Sequence, residues 1–271
     1  MVKLGVLGSG SRGNALVVSS ESGAVIVDVG FSRREIRSRM EQLHLNPERL
    51  DAALLTHEHD DHAKGCRVFC DELGIPLCTA PETARCLRRK GKLPERVIEF
   101  EPGCEFSAGG FDISPFAVQH DAVNPVGFLL RHDGVKIGIA TDLGSVNMLA
   151  LQRLNDCDAL ILESNYDERM LRDSDRELYL KRRILGRHGH LDNRDALAAL
   201  DGLLTRRTRL LLLAHLSSEC NSPDLVEHLF TERLREMGRG DITFGVIPQE
   251  RPLGVFTLTG EGDVKTGSGC I

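Results

Sequence analysis

The chain has no tryptophan, two tyrosines and 4% aromatic residues in 271 positions. So little aromatic surface argues against a protein that grips single strands by stacking successive bases. It leans instead toward recognition of a duplex through its backbone. A basic excess is also missing: 34 Lys and Arg face 40 Asp and Glu, for a net charge of −6. That argues against a histone-like or coat protein, though not against an enzyme with a basic patch on an acidic body. No apolar run approaches the roughly 18 residues that cross a bilayer, so no membrane partner is expected. The eight cysteines contain no CxxC pair, and Cys70, Cys86 and Cys157 fall inside apolar or helical stretches. Cys66 and Cys70 share one helix face and read as buried thiols. The opening MVKLGVLGSGSRGN has no charged start, long apolar run or small-residue cleavage site. A reduced, cytoplasmic protein is expected.

Also absent are internal repeats, low-complexity segments and any linker long enough to separate one domain from another, so residues 1–271 are expected to form one domain. What is present are short apolar runs of strand length: VKLGVLG at 2–8, ALVVSS at 15–20, AVIVDVG at 24–30 and AALLTH at 52–57. FDISPFAVQH, DALILESN, TRLLLLAHLSS, DITFGVIP and FTLTG continue the series, and VGFLLRHDGVKIGIATD reads as two strands turning at Asp133-Gly134. Helical patterns lie between: SRREIRSRMEQLHL from 32, DDHAKGCRVFCDEL from 60, PETARCLRRKGK from 81, RDALAALDGLL and DLVEHLFTERLREMG. Strands clustered in both halves with interleaved helices predict an α/β fold, sheet packed on sheet with helices outside.

Gly8, Gly10 and Gly13 spell GxGxxG, with Asp28 further along, as in a dinucleotide-binding fingerprint. That fingerprint needs a helix directly after the glycines, whereas NALVVSSESGAVIVD reads as strand, turn and strand. The dinucleotide reading fails on its context.

The chemistry concentrates in LLTHEHDDHAKG, residues 54–65. His57 and His59 are two apart, so an extended segment points both to one side; Asp61 and His62 follow at a helix start. A strand end turning into a helix can present two ligand pairs to neighbouring points. Imidazole with carboxylate and no cysteine suits catalytic zinc, manganese or iron. His120, Asp142 and His215 each close an apolar strand, a common place for a polar residue, and gain force only beside this HxHxDH motif.

THEHDDH resembles the signature of the metallo-β-lactamase superfamily, whose fold is an αββα sandwich with a dinuclear site at one sheet edge. The resemblance runs over residues 4 to 220 and includes Asp28 in AVIVD, His120 in VQHDA, Asp142 in IATDLG and His215 in LLAHLS. It implies that His57, His59 and His120 hold one divalent metal ion, that Asp61, His62 and His215 hold another, and that Asp142 bridges them. Asp28 would orient the histidine loop. A hydroxide shared by two such ions can attack a lactam, a thioester or a phosphodiester, so the motif names a reaction type and no substrate.

Local features narrow the choice. Histidine at 59, where flavodiiron oxidoreductases carry glutamate, disfavours redox chemistry; aspartate at 142, where many lactamases carry cysteine, disfavours an antibiotic hydrolase. GRHGHLDN and LILESN resemble segments of the tRNA-processing members, which implies His190 as the acid that protonates the leaving oxygen and Glu163 as its orienting partner. The large insertion of RNase J and the long arm of tRNase Z are both absent. The chain is most similar to the YycJ (WalJ)-type branch, through GSGSRGN, VDVGFSRREI, HDAVNPVGF, IATDLGSV, LILESNYDERML, GHLDN and LLAHLSSECNSP. It departs from that branch at Asp192, usually serine, and Tyr166, often histidine. The resemblance implies a 5′-to-3′ exonuclease on duplex DNA with a role in DNA repair, Asp61 orienting the attacking hydroxide. A small-molecule hydrolase of a thioester, lactone or cyclic phosphodiester is the alternative; an RNA-processing nuclease and a metal-stabilised scaffold rank behind it.

For a polyanion the sequence offers three cationic clusters: Arg33, Arg34, Arg37 and Arg39; Arg88, Arg89, Lys90 and Lys92; Lys181, Arg182 and Arg183. Ser9, Ser11 and Asn14 in the Gly-rich loop, with Ser217 and Ser218 after His215, can hold a terminal phosphate or simply serve turns.

Overall fold

The computed structural model describes residues 1–260 and 264–267. The first half runs β1 (Val2–Gly8), β2 (Ala15–Ser19), β3 (Ala24–Val27), α1 (Arg33–Gln42), β4 (Ala52–Leu54), α2 (Asp60–Ala63), α3 (Cys66–Leu73), β5 (Leu77–Thr79), α4 (Pro81–Arg89) and β6 (Val97–Glu99). There follow β7 (Phe106–Ala108), β8 (Phe111–Ala117), β9 (Val126–His132), β10 (Val135–Ala140), α5 (Met148–Leu154), β11 (Ala159–Glu163), α6 (Glu168–Asp173) and α7 (Leu178–Ile184). The chain continues with α8 (Asn193–Leu203), β12 (Leu210–Ala214), α9 (Pro223–Glu236), β13 (Thr243–Val246), β14 (Gly254–Leu258) and β15 (Val264–Thr266).

Two mixed sheets result, in the orders β15-β14-β1-β2-β3-β4-β5-β6 and β13-β12-β11-β10-β9-β8-β7. Strands β3 to β6 are mutually parallel, as are β10 to β13. Alternate residues explain the packing, because successive side chains of a strand leave opposite faces. Val25 and Val27 of β3 meet Ile137, Ile161 and Leu212 in a core shared by both sheets. Ile26 turns the other way onto Ile36 and Met40 of α1 and Phe69 of α3. Leu211 and Leu213 of β12 likewise turn outward onto Leu200 of α8 and Phe230 of α9. Strands buried on both faces read as unbroken apolar runs, and the expected αββα sandwich is borne out.

The hairpin falls where Asp133-Gly134 placed it: both residues have positive φ, 47° and 75°, the geometry of a type I′ turn. Strand β2 follows the GxGxxG glycines, which removes the dinucleotide reading. Two expectations need correction. DDHAKGCRVFCDEL is not one helix but α2 and α3, broken at Gly65, whose N–H donates to the Val29 carbonyl at 2.8 Å. A Cβ there would lie 2.3 Å from the Phe31 carbonyl oxygen, so the chain stays irregular where it presses on the loop after β3. Second, β5, β6, β7, β15, α5, α6 and α7 were not legible, being too short for a periodic pattern. Cys66, Cys70 and Cys157 are buried free thiols, and burial pushes Cys70 and Cys157 up to about 12. Cys270 lies outside the described residues. Among the described residues no helix is long and apolar enough to cross a membrane.

Candidate metal centre

The polar residues singled out in the sequence stand just beyond the ends of parallel or central strands. Asp28 follows β3, His57 comes after β4, His120 after β8, Asp142 after β10 and His215 after β12, while Glu163 closes β11. Asp28 and His215 hold left-handed backbone, φ 61° and 57°. Such a conformation costs a non-glycine residue roughly 1–3 kcal/mol and persists where its surroundings demand it. Here it turns each side chain back over its sheet edge. Gly30 lets two loops touch: a Cβ on it would sit 1.7 Å from the Asp61 carbonyl oxygen, which accepts the Asn14 N–H at 2.8 Å.

The histidines converge. His57 Nε2 is 3.0 Å and His120 Nε2 3.3 Å from His59 Nδ1. His62 Nε2 is 2.9 Å from Asp142 Oδ2 and 3.7 Å from Asp61 Oδ2. His215 Nε2 is 3.1 Å from Asp61 Oδ2, and His215 Nδ1 3.5 Å from Asp142 Oδ1. One donor atom each from His57, His59 and His120 lies within 4.8 Å of the others, and so do those of Asp61, His62 and His215, and of His57, His62 and Asp142.

Charge and burial suit a cation. Asp142 Oδ2 is buried beside His62 Nε2 at 2.9 Å without a hydrogen bond of good geometry, a state that a positive ion would relieve. Burial alone would raise the Asp142 carboxyl, but His215 and His62 hold it well below the usual carboxylate range. Asp61, opposed in the same way, is also lowered. Burial acts against charge on His215, yet Asp142, Asp61 and Glu163 push its pKa up to about 10. Burial lowers His57 and His59, keeping each ring neutral with one nitrogen lone pair free to donate. The donor set therefore fits divalent metal.

Orienting partners surround the donors. Asp28 accepts the Thr56 N–H at 2.9 Å and lies 2.7 Å from His62 Nδ1, fixing that ring so that Nε2 faces Asp142. His120 Nδ1 is 2.9 Å from the Gly189 carbonyl oxygen. Partners of this kind are worth about 10- to 100-fold in metal affinity. Asp28→Asn is expected to weaken metal binding within that range while the chain stays folded; titration of metal-free protein beside a circular dichroism melt checks both.

Glu163 is fully buried at the junction. Its Oε1 lies 2.7 Å from His190 Nδ1 and 3.1 Å from His215 Nδ1, and its Oε2 accepts the N–H groups of Leu143 at 2.7 Å and Leu191 at 3.2 Å. Glu163 keeps a lowered pKa against its burial because of His190, and His190 is raised in turn. His190 remains 22% exposed and lines two cavities, so its ring faces both the cluster and solvent.

The five phosphate candidates separate. Ser9 and Asn14 are buried: Ser9 Oγ donates to Asn14 Oδ1 at 2.6 Å and accepts the His215 N–H at 2.9 Å. They brace the loop beneath His215. Ser11 and Ser217 line a cavity beside His190, and Ser218 is exposed beyond it. Of the cationic clusters, the one on α1 is occupied: Arg37 pairs with Glu72 and Glu48, and Arg39 is buried over the Phe31 ring. Lys90 and Arg183 reach the cavity over the donor cluster. Thr56, Asn165, Asp121 and Arg176 were not foreseen. Asn165 Nδ2 donates to the His215 carbonyl oxygen at 2.7 Å, while Asp121 pairs with Arg183. Thr56, adjacent to His57, and Asp121, adjacent to His120, carried a signal in the sequence.

Residues 24–215 match the beta-lactamase superfamily domain. The exodeoxyribonuclease WalJ of Streptococcus pneumoniae is 33% identical over 242 residues, covering 88% of this chain and 90% of its own length. The chain belongs to the YycJ (WalJ)-type branch of the metallo-β-lactamase superfamily. The exodeoxyribonuclease YycJ of Bacillus anthracis is 32% identical over 237 residues, 87% of this chain and 90% of its own. Among solved structures the metallo-β-lactamase fold protein YhfI of Bacillus subtilis superposes with a TM-score of 0.65 at 18% identity, covering 98% of this chain and 99% of that one. In this member of the branch the two departures meet: Tyr166 and Asp192 pair through an isolated parallel bridge, and Asp192 caps α8 by accepting the Asp195 N–H at 2.6 Å. Serine caps a helix equally well, so Asp192 preserves the cap and sits apart from the metal donors.

Proposed function

We propose that the chain is a metal-dependent phosphodiesterase that trims duplex DNA as a 5′-to-3′ exonuclease, working in the cytoplasm as one domain over residues 1–271. The observation that carries the reading is the meeting, at one cavity, of a divalent-metal donor set and a carboxylate-steered histidine, in a chain one-third identical to exodeoxyribonucleases. In this reading His57, His59 and His120 would hold one ion, Asp61, His62 and His215 the other, and Asp142 would serve both. Two such ions, zinc or manganese with iron also compatible, supply Lewis acidity toward phosphoryl oxygens and lower the pKa of water. The chain's own groups do the rest. Asp61, kept ionised, would orient the attacking hydroxide. Glu163 holds His190 by Nδ1, leaving Nε2 to deliver a proton to the departing 3′ oxygen. Lys90 and Arg183 draw phosphates to the mouth.

The cavity over the cluster, about 420 Å³, is lined by Ser11, Lys90, Arg183 and charged or imidazole side chains, with no hydrocarbon residue among them. An open polar lining supports a polyanion over a small apolar substrate. The test is digestion of end-labelled duplex and single-stranded DNA and RNA, with 5′-phosphate or 5′-hydroxyl ends, by protein loaded with Mn²⁺ or Zn²⁺. Stepwise loss from the 5′ end of duplex DNA, absent with Asp61→Ala, is the expected result. Turnover of a thioester or cyclic phosphodiester with every polymer left intact would move the assignment to a small-molecule hydrolase.

A further inference from the structure

Tyr179 is the one exposed aromatic side chain among the described residues, at 72%, and its neighbour Leu178 is 62% exposed. The phenylalanines are buried or half-buried, and Tyr166 is buried. In a chain so poor in aromatics, Tyr179 beside Leu178 offers a ring face in water on which a flat group can stack. Their position makes it specific. Both open α7, whose Leu180 and Ile184 pack with Tyr166 and Leu171, so the helix is anchored. Leu180, Arg183 and Ile184 of the same helix line a cavity of about 130 Å³ that abuts His190 and His215, with Arg176 and Ser217 among its other walls. Tyr179 precedes Arg183 by four residues, one helical turn on the same face of α7.

The surroundings are cationic. Residues 176–187 carry Arg176, Lys181, Arg182, Arg183 and Arg187 against the single carboxylate of Glu177, in a chain of net charge −6. Arg183 is steadied by Asp121 and Arg176 by Glu219, so both guanidiniums are held at the cavity. Its volume is below the roughly 300–1,000 Å³ that encloses a whole small molecule. A phosphate group can enter; a base attached to it must stay at the rim.

We propose that α7 is a strand-end clamp, in which Arg183 and Arg176 take the phosphate of a terminal nucleotide and Tyr179 stacks on its base. The inference rests on the nuclease reading and extends it to how an end is recognised. Stacking on an aromatic side chain is insensitive to base identity, as a trimming enzyme requires.

The test compares two probes on metal-loaded protein by calorimetry: 2′-deoxyadenosine 5′-monophosphate and 2-deoxyribose 5-phosphate. The nucleotide is expected to bind on the order of 10-fold more tightly, the gain from one stacked base. Tyr179→Ala should erase most of that ratio by weakening the nucleotide alone, Tyr179→Phe should restore it, and Arg183→Ala should weaken both probes alike. A ratio unmoved by Tyr179→Ala, or no preference for the nucleotide in the parent protein, overturns the clamp. Duplex DNA is digested in parallel. Cleavage with an unmoved ratio removes the clamp alone, and no cleavage by the parent removes the nuclease reading beneath it.

Discussion

Asp142→Asn is expected to lower DNA cleavage by about a thousandfold and to reduce the metal held after dialysis. The magnitude follows from the several kcal/mol that metal ions contribute to charge stabilisation in a transition state, at about 1.4 kcal/mol per tenfold in rate. The position follows from reach. Asp142 Oδ2 stands 2.9 Å from His62 Nε2, while Oδ1 stands 3.5 Å from His215 Nδ1 and 3.6 Å from His120 Nε2. One carboxylate thus touches donors of both proposed ion sites. The amide is isosteric but neutral, so it keeps the packing and removes the charge that the buried Oδ2 offers a cation. Metal content by atomic emission, beside cleavage rate, decides the matter. Full metal content with full activity would end the bridging assignment; a metal-free melt close to that of the parent would show that a loss came from the site and not from unfolding.

That prediction could be written from the sequence, and the reason is local. HxHxDH places four donors within six residues, and each later donor sits where an apolar strand stops. Spacing and strand ends are visible in one dimension because both are set by a few neighbouring residues. What surrounds the donors was not visible in the same way. Asn165 braces His215 across 50 residues, Arg183 meets Asp121 across 62, and the Ser9 hydroxyl supports His215 across 206. Such contacts depend on the two sheets meeting, and no local pattern marks them. The loop serines show the cost: a Gly-rich loop beside a metal motif suggests a phosphate cradle, but Ser9 and Asn14 are turned inward and hold up the loop instead. The helix read through Gly65 shows another. Its apolar spacing is helical on both sides, and only a tertiary contact, the Val29 and Phe31 backbone pressed against the glycine, interrupts it. Among the described residues the short edge strands β6 and β15 carry too few buried side chains to print any alternation.

His190→Ala separates chemistry from assembly more sharply than any change among the metal donors. Its expected effect on DNA cleavage is a loss of about 10²- to 10⁴-fold, the usual worth of a positioned acid, with metal content unchanged. The second half of that statement comes from Glu163. When His190 is removed, Glu163 Oε1 keeps His215 Nδ1 at 3.1 Å, and Oε2 keeps the N–H groups of Leu143 and Leu191. The carboxylate therefore stays in place and so does the ring it steadies. The role of proton donor carries a further signature. A 3′ alkoxide leaves poorly without a proton, whereas a nitrophenolate leaves readily without one. Hydrolysis of bis(p-nitrophenyl) phosphate should consequently lose little in the same variant. The pH dependence has a matching sign: burial opposes charge on His190, but Glu163 raises its pKa overall, so the donor form extends to higher pH than in a free imidazole and is lost as pH climbs through the raised value. The alkaline decline in DNA cleavage should be missing from the nitrophenyl reaction. Equal losses on both substrates would instead make His190 a group that places the phosphate, and the proton would have to come from elsewhere.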